Sequence, residues 1–141
     1  MNLHIKKFEE LTNIELYNLL KLRVDVFVVE QNCPYQEVDD VDKISYHAFI
    51  KENDEILAYL RIIFKDYYAI IGRVITTKRS MGYGKEILKE AISFIKDNKY
   101  NHIEIEAQTY AIGFYQKCGF IPYGNKFIMD GIEHIKMKLD M

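Results

Sequence analysis

The chain has 141 residues, 49% of them apolar and 28% charged, with a formal net charge of −2. That length suits one domain, and eleven tyrosines and eight phenylalanines supply a core that a disordered chain lacks. The near-neutral balance excludes a general electrostatic pull on nucleic acid, so no nucleic-acid partner is expected.

No linker, repeat or low-complexity tract divides the sequence, which reads as a single domain over 1–141. The opening MNLHIKKFEE has no apolar h-region, and no segment approaches about 18 uncharged apolar residues. Neither a secretory signal nor a membrane span is expected, and the protein reads as cytoplasmic. LHIKKF is a strand candidate. Thr12 stands three residues before Glu15, the spacing of a capping box, and Ile14, Tyr17, Leu20, Val24, Phe27 and Val28 follow at helical spacing. A helix is therefore expected through about Val28.

The segment EQNCPYQEVDDVD is polar and acidic. Glu30 with Asp39, Asp40 and Asp42 would make either an acidic rim for a cationic ligand or a solvated loop. SYHAFIKE, EILAYLRIIF and YYAIIGRVITT, with Asn53-Asp54 between the first two, predict an antiparallel meander. Beyond Gly82 and Gly84, Ile87, Leu88, Ala91, Ile92 and Ile95 share one helical face, with Lys85, Glu86, Lys89, Glu90 and Lys96 opposite. HIEIEAQ alternates as a strand, TYAIGFYQKC predicts a short helix ended by Gly119, and KFIMD and HIKMKLD are strands around Gly131. The order β-α-β-β-β-α-β-α-β-β predicts an α+β fold with a mixed, mostly antiparallel sheet flanked by helices.

The turn RSMGYGKEIL joins a strand to a helix, where free amides and the macrodipole favour an anion. A nucleoside triphosphate loop is excluded, because Glu86 follows Lys85 where a hydroxyl is needed and Arg79 stands where the first glycine belongs. A dinucleotide fingerprint is excluded by Ile87 in place of its third glycine, and by a single strand–helix–strand unit. Cys33 and Cys118 have no metal-ligand spacing with each other or with the four histidines. They are expected as free thiols, and no metal is expected.

Arg79-x-x-Gly82-x-Gly84 resembles the pyrophosphate loop of the GNAT family of N-acetyltransferases. Downstream, Gln108-x-x-Ala111-x-x-Phe114-Tyr115-x-Lys117-x-Gly119-Phe120 resembles that family's second motif, with Gln108 in place of the usual Asn. VFVVEQNCPYQEVDDVD, IGRV and FYQKCGFIPYG are similar to the ElaA-like subgroup. The resemblance implies an acyl-CoA acyltransferase fold and direct transfer from acetyl-CoA to the amine of a small molecule or peptide. The alternative is a non-catalytic acyl-CoA-binding module. The resemblance further implies that Val74, Ile75 and Thr76 offer backbone to the pantetheine arm. Arg79, Ser80, Met81, Gly82, Tyr83, Gly84 and Lys85 would hold the pyrophosphate, with Gln108 and Phe114 also at the cofactor. Tyr115 would be the general acid. The base stays open among Glu30, His47 and Glu106, with His47 expected as a sheet residue. A homodimer is plausible by the same resemblance.

Overall fold

The computed structural model describes residues 2–78 and 81–141. Seven strands form one sheet: β1 (Asn2–Lys7), β2 (Tyr46–Glu52), β3 (Glu55–Phe64), β4 (Ala69–Thr76), β5 (His102–Gln108), β6 (Ile121–Met129) and β7 (Ile132–Asp140). Three helices join them: α1 (Asn13–Val24), α2 (Tyr83–Asp97) and α3 (Ile112–Lys117). The sheet order is β1-β2-β3-β4-β5-β7-β6, and every neighbouring pair is antiparallel except β4 with β5. This is the α+β order expected from the sequence.

The main core lies between the sheet and α2 with α3. Ile87, Leu88, Ala91 and Ile95 of α2 are buried against Ala48, Leu60 and Ile71 of the sheet. The expected amphipathic pattern explains why: one apolar stripe leaves a charged face for water. A second core on the opposite face holds Leu19, Phe49, Ile56, Tyr59 and Ile75. Asp130 and Gly131 both have positive φ, 52° and 76°, the backbone that lets a two-residue turn follow the twist of β6 and β7.

Helix α1 departs from expectation in the face it buries. Ile14 and Tyr17 are exposed, whereas Glu15, Leu19 and Arg23 form the buried stripe. Two charged residues can face inward because each meets partners. Glu15 caps its own helix, accepting from the Thr12 amide at 2.9 Å while its amide donates to Thr12 Oγ1 at 3.1 Å. Lys6 and Lys51 reach its two carboxylate oxygens at 3.0 and 3.1 Å. Burial by itself would raise the Glu15 pKa, but the Thr12 amide, Lys6 and Lys51 outweigh it and bring it from 4.5 down to about 2. A depressed carboxyl contributes stability that is present above its unfolded pKa and lost as pH falls through the folded one. The urea midpoint is therefore expected to fall as pH is lowered from 4.5 to about 2. Glu15→Gln should remove part of that slope; an identical slope in the variant would refute the assignment.

The helix also ends differently. From Asp25 to Glu30 the chain winds as a π-helix, with Gln31 N bonded to Val26 O at 3.3 Å and Cys33 N to Val28 O at 3.0 Å. The wider turn carries Phe27 onto a cleft described below. Such π segments concentrate at functional sites.

Candidate active site

Strands β4 and β5 pair only at Ala69↔Ile103 and Ile70↔Glu104. Past those two pairs they diverge, leaving backbone of β4 without a ladder partner on that side. A bulge sits at the point of divergence: Arg61 pairs with Gly72 and Tyr59 with Ile75, so Leu60 of β3 alone stands opposite Arg73 and Val74 of β4. Arg73, the first of those two, has φ of +55°, a left-handed conformation that is rare for a residue with a side chain. Such a conformation costs about 1–3 kcal/mol and needs surrounding contacts to hold it. Arg73 Nε donates to Glu37 Oε1 at 2.6 Å and Nη2 to the Glu37 carbonyl at 3.2 Å. Its guanidinium also lies 6.0 Å from the Phe27 ring centre and 5.7 Å from that of Tyr35.

Glu37 belongs to a larger cluster of three guanidinium groups and three carboxylates. Arg23, with no exposed surface, donates to Glu37 Oε1 at 3.0 Å and to Asp42 Oδ1 at 2.6 Å. Arg61 donates to Asp39 Oδ1 at 2.8 Å and to Asp42 Oδ1 at 3.0 Å. Of the two expectations for this acidic segment, a rim for a cationic ligand or a solvated loop, neither holds for Asp39 and Asp42. Asp39 and Asp42 turn inward to neutralise arginines, and only Glu30 and Asp40 of that group are exposed. Asp40 meets the exposed Lys43 at 3.4 Å.

The divergence opens into a cleft of about 270 Å³. The bulge residues Gly72, Arg73 and Val74 form one wall, and Ile105, Glu106 and Gln108 of β5 form the other. Tyr115 reaches it from α3, and the turn before β7 closes the far end. Cys33 ties the loop after α1 to that turn, its Sγ donating to the Asp130 carbonyl at 2.9 Å. Both cysteines are free.

Val74, Gln108 and Tyr115 of the sequence-derived residues thus share one cleft. Gln108 is held by a reciprocal amide pair with Gln31, at 3.1 and 3.3 Å. Tyr115 is 7% exposed, with its ring edge-on to Phe114 and Phe120. Its hydroxyl has no hydrogen-bond partner among the described residues. Burial pushes the phenol well above its ordinary value, and Tyr110 and Cys118 push the same way. Ile75 is buried in the second core, and Thr76 ends β4.

At that end of β4 lies the start of α2. Gly82 is its N-cap, with φ of +80° and no side-chain cap. The first intrahelical bond is Glu86 N to Gly82 O at 3.0 Å, so the amides of Tyr83, Gly84 and Lys85 have no helical acceptor. The two glycines serve different ends. Gly82 supplies the left-handed turn. Gly84 is buried, and a Cβ there would lie 3.4 Å from the Phe114 ring and 3.6 Å from Thr76 Cβ, so its role is close packing of α2 on α3. Met81 and Lys85 are exposed beside it. Arg79 and Ser80 lie outside the described residues.

The base candidates separate clearly. Glu30 is exposed and is not among the residues lining the cleft. His47 is fully buried: its Nε2–H donates to the Asp42 carbonyl at 2.9 Å, so Nδ1 accepts from the Tyr59 hydroxyl at 2.6 Å. A carbonyl can only accept, which fixes the tautomer. His47 is a saturated sheet residue, as expected. Glu106 does line the cleft, at its exposed rim. One residue that sequence reasoning passed over lines it too. His134 of β7 is 5% exposed and is the cross-strand partner of Gln108. Nothing in an alternating strand announces such a residue, because only the strand register places it at the cleft.

A diverging β4–β5 pair, a bulged β4 and an uncapped glycine turn at the head of the next helix decide the relationship when set beside known proteins. The family model for the acetyltransferase (GNAT) domain matches residues 17–141. The chain belongs to the GNAT family. It is 38% identical to Protein ElaA of Escherichia coli (strain K12), covering 91% of this chain and 89% of that one. A UPF0039 protein of Schizosaccharomyces pombe is 34% identical, over 96% and 95% of the two chains. The crystal structure of Escherichia coli ElaA superposes with a TM-score of 0.93 over 99% of this chain and 100% of that one, at 34% identity. An acyl-CoA N-acyltransferase from Pseudomonas aeruginosa superposes with a TM-score of 0.91 over 99% of both, at 32% identity. The domain is thus a GNAT acyltransferase domain of the ElaA-like subgroup. Among the described residues, no helix is long and apolar enough to cross a membrane.

Proposed function

We propose that the protein is an N-acetyltransferase that moves an acetyl group from acetyl-CoA to the amine of a small molecule or peptide by direct attack. The observation that carries this reading is the unpaired edge of β4, which runs from the cleft holding Tyr115 to the uncapped amides of α2. Those features fit an acyl-CoA. A pantetheine arm carries amides that can pair with exposed strand backbone, and a pyrophosphate suits the positive end of a helix. Bound there, an acyl-CoA supplies an activated acyl group and a thiol leaving group.

The chain's own residues have three tasks. Val74, Ile75 and Thr76 offer main-chain groups along the arm. Met81 to Lys85, with Arg79 and Ser80 before them, hold the pyrophosphate. Tyr115 keeps its proton at neutral pH, because burial raises an already high pKa, and donates it towards the sulfur as negative charge develops there. Arg73 cannot accept a proton and serves instead to hold the bulge.

Titration calorimetry with acetyl-CoA, followed by thiol release over amines, polyamines, amino acids and peptides, tests this reading. Saturable 1:1 binding and turnover with at least one amine are expected. No binding would end the reading. Tight binding without turnover across the panel would replace it with an acyl-CoA-binding module.

A further inference from the structure

The cleft presents one nitrogen whose protonation is set by the fold. His134 Nδ1 lies 2.7 Å from the Ile132 carbonyl, which can only accept. Nδ1 therefore carries the proton, and in the neutral ring Nε2 holds a lone pair. Nε2 has no partner among the described residues, nor is it sealed from the surface as the Nε2 of His4 is. Phe127 stacks on the ring, with centres 5.8 Å apart and planes 22° from parallel, fixing its orientation.

Its side of the sheet matters as much. Ile105, Ala107, Ile135 and Met137 pack in the core with α2, α3 and Tyr115. The residues between them, Glu106, Gln108, His134 and Lys136, therefore project from the other face. Tyr115 and His134 thus approach one cleft from opposite faces of the sheet. An acid beside the leaving sulfur and a base beside the incoming amine need that separation.

We infer that His134 is the base that accepts the proton of the acceptor amine, at Nε2. This rests on the acyltransferase reading above. An alkylammonium ion gives one proton to His134 Nε2, and the nitrogen lone pair then forms the bond to the acyl carbon. The carbon–sulfur bond breaks with its electron pair on sulfur, which takes the proton of Tyr115. The second N–H proton of the new amide nitrogen restores Tyr115 through solvent, and His134 releases its proton to water. The sum is ammonium plus thioester giving amide, thiol and one proton. Glu106 at the rim is the rival, but its side chain is exposed to water, whereas the His134 ring is 5% exposed and held in place by the Ile132 carbonyl and the Phe127 ring.

Other titratable and charged groups face His134. Glu106 and Lys136 flank it on its own sheet face, Tyr110 and Asp130 stand on the neighbouring turns, and Arg73 and Tyr115 lie across the cleft. The first measurement is ¹⁵N NMR of the His134 ring in the intact chain with coenzyme A bound. Nδ1 protonated and Nε2 bare in the neutral ring is expected. An Nε2–H tautomer, or a ring still charged at pH 8, overturns the proposal, whatever the variants do.

The second measurement is kcat/KM against pH with the most reactive amine of the panel. Its ascending limb should follow the NMR titration of His134. His134→Asn should lose that limb and about 10²-fold or more in rate, with the acetyl-CoA Kd unchanged. Free imidazole should restore part of the rate in His134→Ala. A His134→Asn rate near that of the unaltered protein, or a larger loss in Glu106→Gln, strikes this inference alone. Failure of the unaltered protein to bind acetyl-CoA, or to turn over any amine, strikes the acyltransferase reading first.

Discussion

Tyr115→Phe is expected to lower kcat by about 10²- to 10⁴-fold while leaving the acetyl-CoA Kd within about twofold. At about 1.4 kcal/mol per tenfold, that is about 3–5 kcal/mol of transition-state stabilisation from one hydroxyl. The substitution is clean because the ring stays. Its edge-on contacts with Phe114 and Phe120, at 5.2 and 6.1 Å between centres, do not involve the oxygen. Nor does the hydroxyl bond to any described residue, so its loss leaves no protein group unsatisfied. Cofactor affinity should persist, since the amides at the head of α2 and the edge of β4 are untouched. The raised phenol pKa sets the other half of the expectation. Transfer from a phenol to a thiolate alone is uphill, since an ordinary thiol has a pKa of about 8.5, and it runs to completion because the new amide nitrogen returns a proton to Tyr115. The donated hydrogen bond strengthens only as charge builds on sulfur, so it acts on kcat rather than on binding. Steady-state kinetics with calorimetry on the same preparation checks both halves. An unchanged kcat would remove Tyr115 as the acid and leave the sulfur to be protonated by solvent.

The parts of this fold that could be read from the chain are those in which a single local rule governs. Helix α2 announces itself because an apolar stripe at helical spacing has only one way to be buried. The capping box at Thr12 and Glu15 forms as its spacing implies. The order of elements along the chain follows from alternation and turn residues, and the glycine turn falls at the head of α2. What escaped reading depends on partners distant in sequence. The buried face of α1 runs through Glu15 and Arg23, and a pattern search for apolar residues discards both. Their burial is tolerable only because Lys6, Lys51, Glu37 and Asp42 arrive from elsewhere in the chain. The acidic loop looked solvated or substrate-facing for the same reason, since its arginine partners come from α1, β3 and β4. The left-handed position of the bulge is Arg73 and not a glycine, and Gly72 beside it does not have positive φ. Gly84 was legible as a close approach, and the group that approaches it in the fold is the Phe114 ring. Glu30 falls outside the cleft because the π-helical turn points it to solvent while turning Phe27 inward. His134 is the clearest case, invisible until the β5–β7 register sets it beside Gln108.

Arg23→Met should be the most damaging single substitution for stability, at a cost of about 3–5 kcal/mol. Arg23 is wholly buried, and Glu37 and Asp42 beside it are 3% and 4% exposed. Methionine fills most of the volume of the arginine stem but leaves two arginines against three carboxylates in a place water barely enters. Each buried carboxylate already has one oxygen without a partner, Oε2 of Glu37 and Oδ2 of Asp42, so neither has a spare contact to fall back on. Against a typical total of about 5–15 kcal/mol, a loss of that size would leave a large unfolded fraction. A drop in urea midpoint and in Tm is the readout. Adding Glu37→Gln to Arg23→Met restores charge balance and should recover part of the loss in midpoint, whereas purely steric damage would not recover. The double variant should nevertheless bind acetyl-CoA more weakly than the unaltered chain. Glu37 is also the group that grips Arg73 at 2.6 Å, and with that grip weakened the left-handed bulge in β4 loses its strongest support. An Arg23→Met protein as stable as the original would show that the cluster is not what holds α1, β3, β4 and the 33–45 loop together. Recovery of stability together with full cofactor affinity in the double variant would separate the bulge from the cluster.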